Sequence, residues 1–317
     1  MLAIFAVTFP FFALVLCGYA ATRRGLLPLL AIPGLNSFVL FFALPCMLYR
    51  FGARTPIAQL LNPSLVAVYA LCALLMVGLT VMLTRRGRIG WNDAGFGALV
   101  AAFPNTGFMG VPLLVALLGA QAAGPAIVTI AIDMVITSSL CIALSRLDGA
   151  GTHGAARAAR LVLIGVVANP LPWSIVLGAL ASSLMFTLPL PLNTTVNLLA
   201  DAASPTALFT IGAVLARAQM SGARRAALAD CGLVVFLKLV LHPLLVGAVG
   251  LAAMAAGAPL DRFALTVIVL VAALPSASNV AMLSERFGAD NGRIAQIILG
   301  STVLAFFSFS AAVAWLT

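Results

Sequence analysis

Ten stretches of this chain are apolar over lengths near the roughly 20 helical residues needed to cross a bilayer. They cover residues 2–21, 32–49, 63–84, 94–118, 125–144, 161–180, 193–215, 228–256, 263–287 and 294–316. Short polar connectors join them, the longest being 145–160, and no soluble module interrupts the series. The pattern predicts an all-α membrane protein of ten transmembrane helices. The fourth stretch is anomalous. Its segment Val100-Ala101-Ala102-Phe103-Pro104-Asn105-Thr106-Gly107-Phe108-Met109-Gly110-Val111-Pro112 carries two prolines, two glycines and a side-chain amide within an apolar run. Proline removes a backbone donor and clashes with the preceding turn, and Gly107 adds freedom, so 104–107 are expected to unwind. Unwound backbone at membrane depth survives only where protein or a watery cavity surrounds it, which makes the segment a candidate binding site.

Composition agrees with the pattern. The 317 residues are 63% hydrophobic and 8% charged, with a mean hydropathy of +1.17. The formal charge of +9 would point to nucleic acid in a soluble chain. Here the basic residues sit in connectors and read as topology signals, so no nucleic-acid partner is expected. Arg23, Arg24, Arg85, Arg86, Arg88, Arg146, Arg157, Arg160, Arg217, Arg224, Arg225 and Arg293 fall in odd-numbered connectors, and Arg286, at the very end of the ninth stretch, counts with them. Even-numbered connectors hold only Arg50, Arg54 and Arg262, and Lys238 lies inside the eighth stretch. By the positive-inside rule the odd connectors are cytoplasmic and both termini face outward, as in a bacterial inner-membrane protein. The first stretch has no basic residue before it and two after it, so it is expected to be a retained span rather than a signal peptide.

Ten spans divide into two halves of five, residues 1–150 and 151–317, and an odd number per half inverts the second. The sequence carries an echo of that kind. Val100-Ala101-Ala102-Phe103-Pro104-Asn105 is matched by Val271-Ala272-Ala273-Leu274-Pro275-Ser276, with Asn279 following, and Leu44-Pro45 is matched by Ser204-Pro205. In inverted-repeat transporters, paired broken helices meet near the midplane and offer free N–H groups to a ligand. Pro104, Asn105, Thr106, Gly107, Pro275, Ser276, Ser278 and Asn279 are therefore the candidate substrate site. The alternative is that the prolines merely kink two helices while the polar groups satisfy freed backbone.

Asp133, Asp201 and Lys238 are ionisable residues inside predicted spans. Each charge near the bilayer centre costs about 2.5–3.5 kcal/mol on insertion scales, so a paired or functional role is expected. Asp133 and Lys238 either pair structurally or divide the work. In the second case Lys238 is the counter-ion for an anionic substrate, and Asp133 or Asp201 carries a coupling proton. Asp201 lies nearer the outer interface. Asn169 and Asn197 read as helix-packing hydrogen bonds, although both can face a cavity. The five cysteines, all in apolar runs, and the two histidines, His153 and His242, make no metal or disulfide pattern. A phosphate-binding loop and a catalytic constellation are equally lacking, so neither a resident cofactor nor an enzymatic activity is expected.

The segment from Phe103 to Pro112, the Asn169-Pro170 pair, Ser204-Pro205 followed by Ala207-Leu208-Phe209 and Gly212, and Leu237-Lys238-Leu239 followed by His242-Pro243 together resemble the auxin efflux carrier family in its short prokaryotic form. The likeness extends over nearly the whole chain. It implies the ten-span, five-plus-five inverted fold of the bile acid/arsenite/riboflavin transporter superfamily, with broken, crossing helices 4 and 9. Spans 1, 2, 6 and 7 would form a scaffold, and spans 3–5 and 8–10 a moving transport domain. It further implies homodimers and small organic anions as substrates: auxin in plant members, malonate-like dicarboxylates in bacterial ones. The chain departs from the plant pattern by lacking a large cytoplasmic loop and by carrying Ser276, not asparagine, directly after Pro275. Both departures weigh against auxin itself.

The expected function is secondary transport of a small mono- or dicarboxylate by alternating access. Sodium coupling would draw on Thr106, Ser276, Ser278 and unwound carbonyls, and proton coupling on a group such as Asp133. A potential-driven uniporter or exporter of auxin-like weak acids is the nearest alternative, and a membrane sensor retaining the transporter fold is a third.

Overall fold

The computed structural model describes residues 2–55, 62–85, 89–147, 170–220 and 228–317. Arg86, Arg88, His153, Arg157, Arg160, Asn169, Arg224, Arg225 and the start of the sixth apolar stretch lie outside the described residues.

Every element among the described residues is helical. In order they are α1 (Leu2–Arg23), α2 (Ala31–Arg54), α3 (Pro63–Thr84), α4 (Trp91–Ala102), α5 (Thr106–Leu118), α6 (Ala120–Ser145), α7 (Pro170–Ser183) and α8 (Leu190–Met220). Then come α9 (Leu228–Phe236, Leu237–Leu241 and His242–Ala255), α10 (Arg262–Ala273), α11 (Asn279–Arg286) and α12 (Asn291–Leu316). Seven of these, α1, α2, α3, α6, α8, α9 and α12, contain segments long and apolar enough to cross a membrane. The fourth and ninth apolar stretches are each divided between two helices, α4 with α5 and α10 with α11.

Several helices contain a widened turn in which the backbone bonds one residue further than in an α-helix. Three of these turns, Val39–Ala43, Thr106–Gly110 and Leu237–Leu241, end two residues before a proline. The prolines are Pro45, Pro112 and Pro243. The physical cause is common to all three: the ring has no N–H to offer and crowds the carbonyl four residues back, so the preceding turn opens. The fourth, Asp133–Thr137, has no such proline. Instead Ser138 Oγ donates to the Asp133 carbonyl at 2.9 Å.

The chain forms two compact units. Unit 1 comprises Met1–Asn62, Thr106–Val128 and Asn169–Gly222. Its helices touch through glycine. A Cβ on Gly212 of α8 would fall on the Val15 carbonyl of α1, and one on Gly18 of α1 on the Phe209 carbonyl of α8. Likewise a Cβ on Gly178 of α7 would come within 2.6 Å of the Tyr49 carbonyl oxygen of α2. Lipid tails are as apolar as leucine, so membrane helices associate through such close backbone approaches.

Unit 2 comprises Pro63–Asn105, Thr129–Ala168 and Ala223–Thr317. Its centre is α4 and α10. Every residue from Ala94 to Ala102 is buried, as is every residue from Val267 to Ala273. A helix that is apolar on all sides belongs inside, and these two carry their C-terminal ends into the middle of the unit. The start of α4 is tied to the start of α12. Asp93 Oδ1 accepts the Asp290 N–H at 2.7 Å, Arg293 Nη1 donates to the Asp93 carbonyl at 2.9 Å, and Asp290 caps α12 by accepting the Arg293 N–H at 3.0 Å.

Replacing Gly212 by alanine forces α1 and α8 apart and is expected to destabilise the protein by about 1–3 kcal/mol, the usual cost of overpacking. The control is Gly78→Ala in α3, where an added Cβ meets nothing within 4 Å and helix propensity favours the change. Thermal unfolding in detergent, followed by loss of the monodisperse peak, checks both.

Candidate functional site

Helix α4 ends because Phe103 precedes a proline, and α10 ends because Leu274 does. The residue before proline is pushed out of the helical region; Phe103 has φ −95 and ψ 102, Leu274 φ −63 and ψ 156. Two short extended segments result, and each supplies what the other lacks. The Asn105 N–H donates to the Pro275 carbonyl at 2.8 Å and the Ala277 N–H to the Phe103 carbonyl at 3.0 Å. Pro104 and Ser276 thus face one another in an antiparallel bridge. The remaining donor, the Ser276 N–H, bonds Ser301 Oγ of α12 at 3.2 Å. Unwinding expected over 104–107 is shorter and earlier than that, because the helical backbone resumes at Thr106.

The polar side chains at the breaks are less fully engaged than the backbone. Within unit 2, Asn105 is 4% exposed, and Ser276 Oγ and Asn279 Oδ1 are buried without a hydrogen-bond partner among the described residues. Asn279 opens α11, where the first N–H groups of a helix have no intrahelical acceptor. Ser278 precedes it, half-buried, and its carbonyl accepts the Ala281 N–H at 3.2 Å. The chain passes into unit 1 between Asn105 and Thr106. There Thr106 Oγ1 is again buried and unpartnered among the described residues. Gly107 is neither crowded nor at positive φ; a Cβ there would meet Leu44 at an ordinary 3.8 Å.

Lys238 and Asp133 do not pair directly. Lys238 Nζ, fully buried, donates to the Ala272 carbonyl at 2.9 Å and lies 3.1 Å from His242 Nδ1. The reason follows from the break in α10. In a continuous helix Ala272 would accept the Ser276 N–H, which here is diverted to Ser301. The ammonium takes the freed carbonyl and sits at the negative end of the α10 dipole. Asp133, also fully buried, accepts from Tyr69 OH and from Thr137 Oγ1, each at 3.0 Å. The Tyr69 and His242 rings are 6.2 Å apart, so the aspartate and the lysine belong to one buried polar cluster, bridged by aromatic rings. Both charges lie on widened turns, Asp133 on that of α6 and Lys238 on that of α9.

Asp201 belongs elsewhere. It is exposed on α8 in unit 1 and its Oδ1 lies 2.6 Å from Arg50 Nη1 of α2, an ion pair. Asn197, one turn before it, accepts from the same Nη1 at 3.5 Å.

Sequence reasoning missed Tyr69, His242, Ser301 and Arg50 as partners of the candidate residues. A signal existed for one of them, since His242 follows Lys238 by four residues, on the same helical face. The other three are separated from their partners by 25 residues or more, and no local spacing announces them.

Residues 3–313 match the family described as membrane transport protein. A relative from Rhizobium meliloti (strain 1021), named "Putative malonate transporter", is 30% identical over 311 residues, covering 96% of this chain and 93% of its own length. The transporter YfdV of Escherichia coli (strain K12), of uncharacterised activity, is 27% identical over 307 residues, covering 93% of each chain. Auxin efflux carrier component 3 of Arabidopsis thaliana is 30% identical over 121 residues, covering 37% of this chain and 18% of the plant protein. With the family matched from end to end and seven helices able to cross a membrane, the chain is an integral membrane transporter, a member of the membrane transport protein family to which the auxin efflux carriers are related.

Proposed function

We propose that this protein is a secondary transporter of a small organic anion, a mono- or dicarboxylate of the malonate type. On this reading ten spans form two inverted repeats with both termini outside, and the substrate binds where the broken spans 4 and 9 meet. Unit 1 holds α1, α2, α7 and α8, the scaffold helices of the reading, together with Thr106–Val128. Unit 2 supplies the moving body. The substrate class rests in part on the name of the Rhizobium meliloti relative.

One observation carries the site. Two helices are broken at matching prolines, their backbone donors are used up on each other and on Ser301, and yet Ser276 Oγ and Asn279 Oδ1 remain buried and unpartnered. Buried polar groups without partners cost free energy, so a fold that retains them beside a helix N-terminus has a use for them. An anion takes donors there, the Ser276 hydroxyl and the side-chain NH2 groups of Asn105 and Asn279, while Asn279 Oδ1, an acceptor, is left for a hydroxyl or a protonated carboxyl oxygen of the substrate. Lys238 adds positive field from the end of α10. Alternating access then exposes this site to each side in turn.

For coupling, the buried cluster of Asp133, Tyr69, His242 and Lys238 favours a proton over sodium. It brings three titratable groups besides Tyr69 into one water-poor core, where a change of charge on one is felt by the others. The hydroxyls of Thr106, Ser276 and Ser278 are what a sodium route would use.

Asn105→Ala should cut carboxylate uptake into proteoliposomes at least tenfold, the scale expected when a hydrogen bond to a charged ligand is lost. The substitution keeps the main-chain bond to Pro275, so thermal stability should be unchanged; unaltered uptake would refute the site. Asp133→Asn tests the coupling. It should abolish the stimulation of uptake by an imposed pH gradient while substrate counterflow, which needs no net proton movement, continues. Stimulation by sodium instead, with pH gradients inert in the unaltered protein, would decide for the sodium route.

A further inference from the structure

Arg50 stands out from the charge pattern of the chain. Thirteen of the cations fall in or at the edge of connectors read as cytoplasmic, whereas Arg50 ends a span on the side read as opposite, where a cation carries no topological benefit. Its setting within unit 1 is unusual too. Asn193, Asn197 and Asp201 follow one another at four-residue intervals on α8, so they line one face of the helix. Asn197 Nδ2 donates to Asn193 Oδ1 at 3.2 Å, and Asn197 and Asp201 both accept from Arg50 Nη1. The Asp201 side chain is 68% exposed, and its partner Arg50 lies one helical turn before the end of α2, so the pair sits near the end of that span. A face carrying an exposed carboxylate and two amides at a span end is costly against lipid and suited to water.

The guanidinium is half used. Only Nη1 makes a hydrogen bond among the described residues, beside a contact of the guanidinium with the Phe51 ring at 5.8 Å, and the Nε–Nη2 edge, the fork that grips a carboxylate through two parallel bonds, makes no hydrogen bond there. Its partner is also replaceable. An ion pair with a largely exposed carboxylate contributes little net stability, and α2 is already held in unit 1 by the close approach at Gly52 and Gly178. Exchange of one carboxylate for another at Arg50 therefore costs little.

We propose that Arg50 is a second carboxylate-binding site, on the side read as outward, at which an organic anion displaces Asp201 from the guanidinium. Asp201 acts as an internal competitor: it keeps the guanidinium compensated when no substrate is present and sets the concentration at which substrate takes over. This rests on the reading of the chain as a carboxylate transporter.

The two residues then have opposite effects on apparent affinity, which a mere staple between α2 and α8 would not produce. With malonate as the probe, uptake into proteoliposomes is measured against concentration. Asp201→Asn should lower the half-saturating concentration severalfold, because the competitor is gone. Arg50→Gln should raise it about tenfold, as should Arg50→Lys, which keeps the charge but not the fork. Shifts in the same direction for Asp201→Asn and Arg50→Gln, or loss of thermal stability with half-saturation unmoved, would show a structural staple and overturn the inference while leaving the transport reading intact. If the unaltered protein neither transports nor binds any of a panel of mono- and dicarboxylates including malonate, both fall together.

Discussion

Backbone hydrogen bonding in a medium without water governs this structure. Proline at 104 and at 275 each deletes a donor and drives the preceding residue out of the helix, so two buried helices stop in the interior of unit 2 with polar groups exposed. Neither end could exist alone, since each unsatisfied group in hydrocarbon costs several kcal/mol. They exist because they meet: the Asn105 and Ala277 N–H groups each find a carbonyl on the other segment. That mutual satisfaction fixes the register of the two breaks to a single residue pair, Pro104 opposite Ser276. It also leaves side chains, rather than backbone, as the groups with capacity to spare.

The same accounting explains the buried lysine. A charge in the core of unit 2 would be hard to justify if it served only to balance Asp133, which has two hydroxyl donors of its own. Lys238 instead occupies the carbonyl that the break in α10 releases. Its position is thus a consequence of Pro275, and any movement of the paired segments changes its surroundings. Because His242 and Tyr69 connect it to Asp133, such a movement alters the balance of charge through the whole cluster. Mechanical linkage of that kind is what a coupled transporter needs, since binding and proton transfer have to bias the same two-state element.

Much of this was readable in the chain. Among the described residues apolar runs located the helices, and the prolines at 104 and 275 located both breaks, because hydropathy and proline chemistry are local properties of sequence. The widened turns before Pro45, Pro112 and Pro243 follow from the same local rule. What was not readable depends on pairs remote in sequence. Nothing near Asp133 announces Tyr69, and nothing near Asp201 announces Arg50, 151 residues away. The open question of whether Asp133 and Lys238 pair was unanswerable from charge alone, for the decisive term is a backbone carbonyl, which every residue has. Gly107 illustrates the converse: it was expected to loosen the break, yet it sits in a helical turn with room for a side chain.

The distribution of charge around the two proposed anion positions is itself informative. A transporter has to release what it binds, so an uncompensated cation against a dicarboxylate would hold it too well. At the paired breaks the groups available for direct contact are neutral, hydroxyl, amide and helix N–H, while the one ammonium nearby is committed to a carbonyl and a histidine. Neutral donors discriminate by geometry and release readily. At the second proposed position, Arg50, a full guanidinium is present, but Asp201 offsets it. In both places the cation is already compensated, by a carbonyl in one unit and by a carboxylate in the other, which is what release of a bound anion would require.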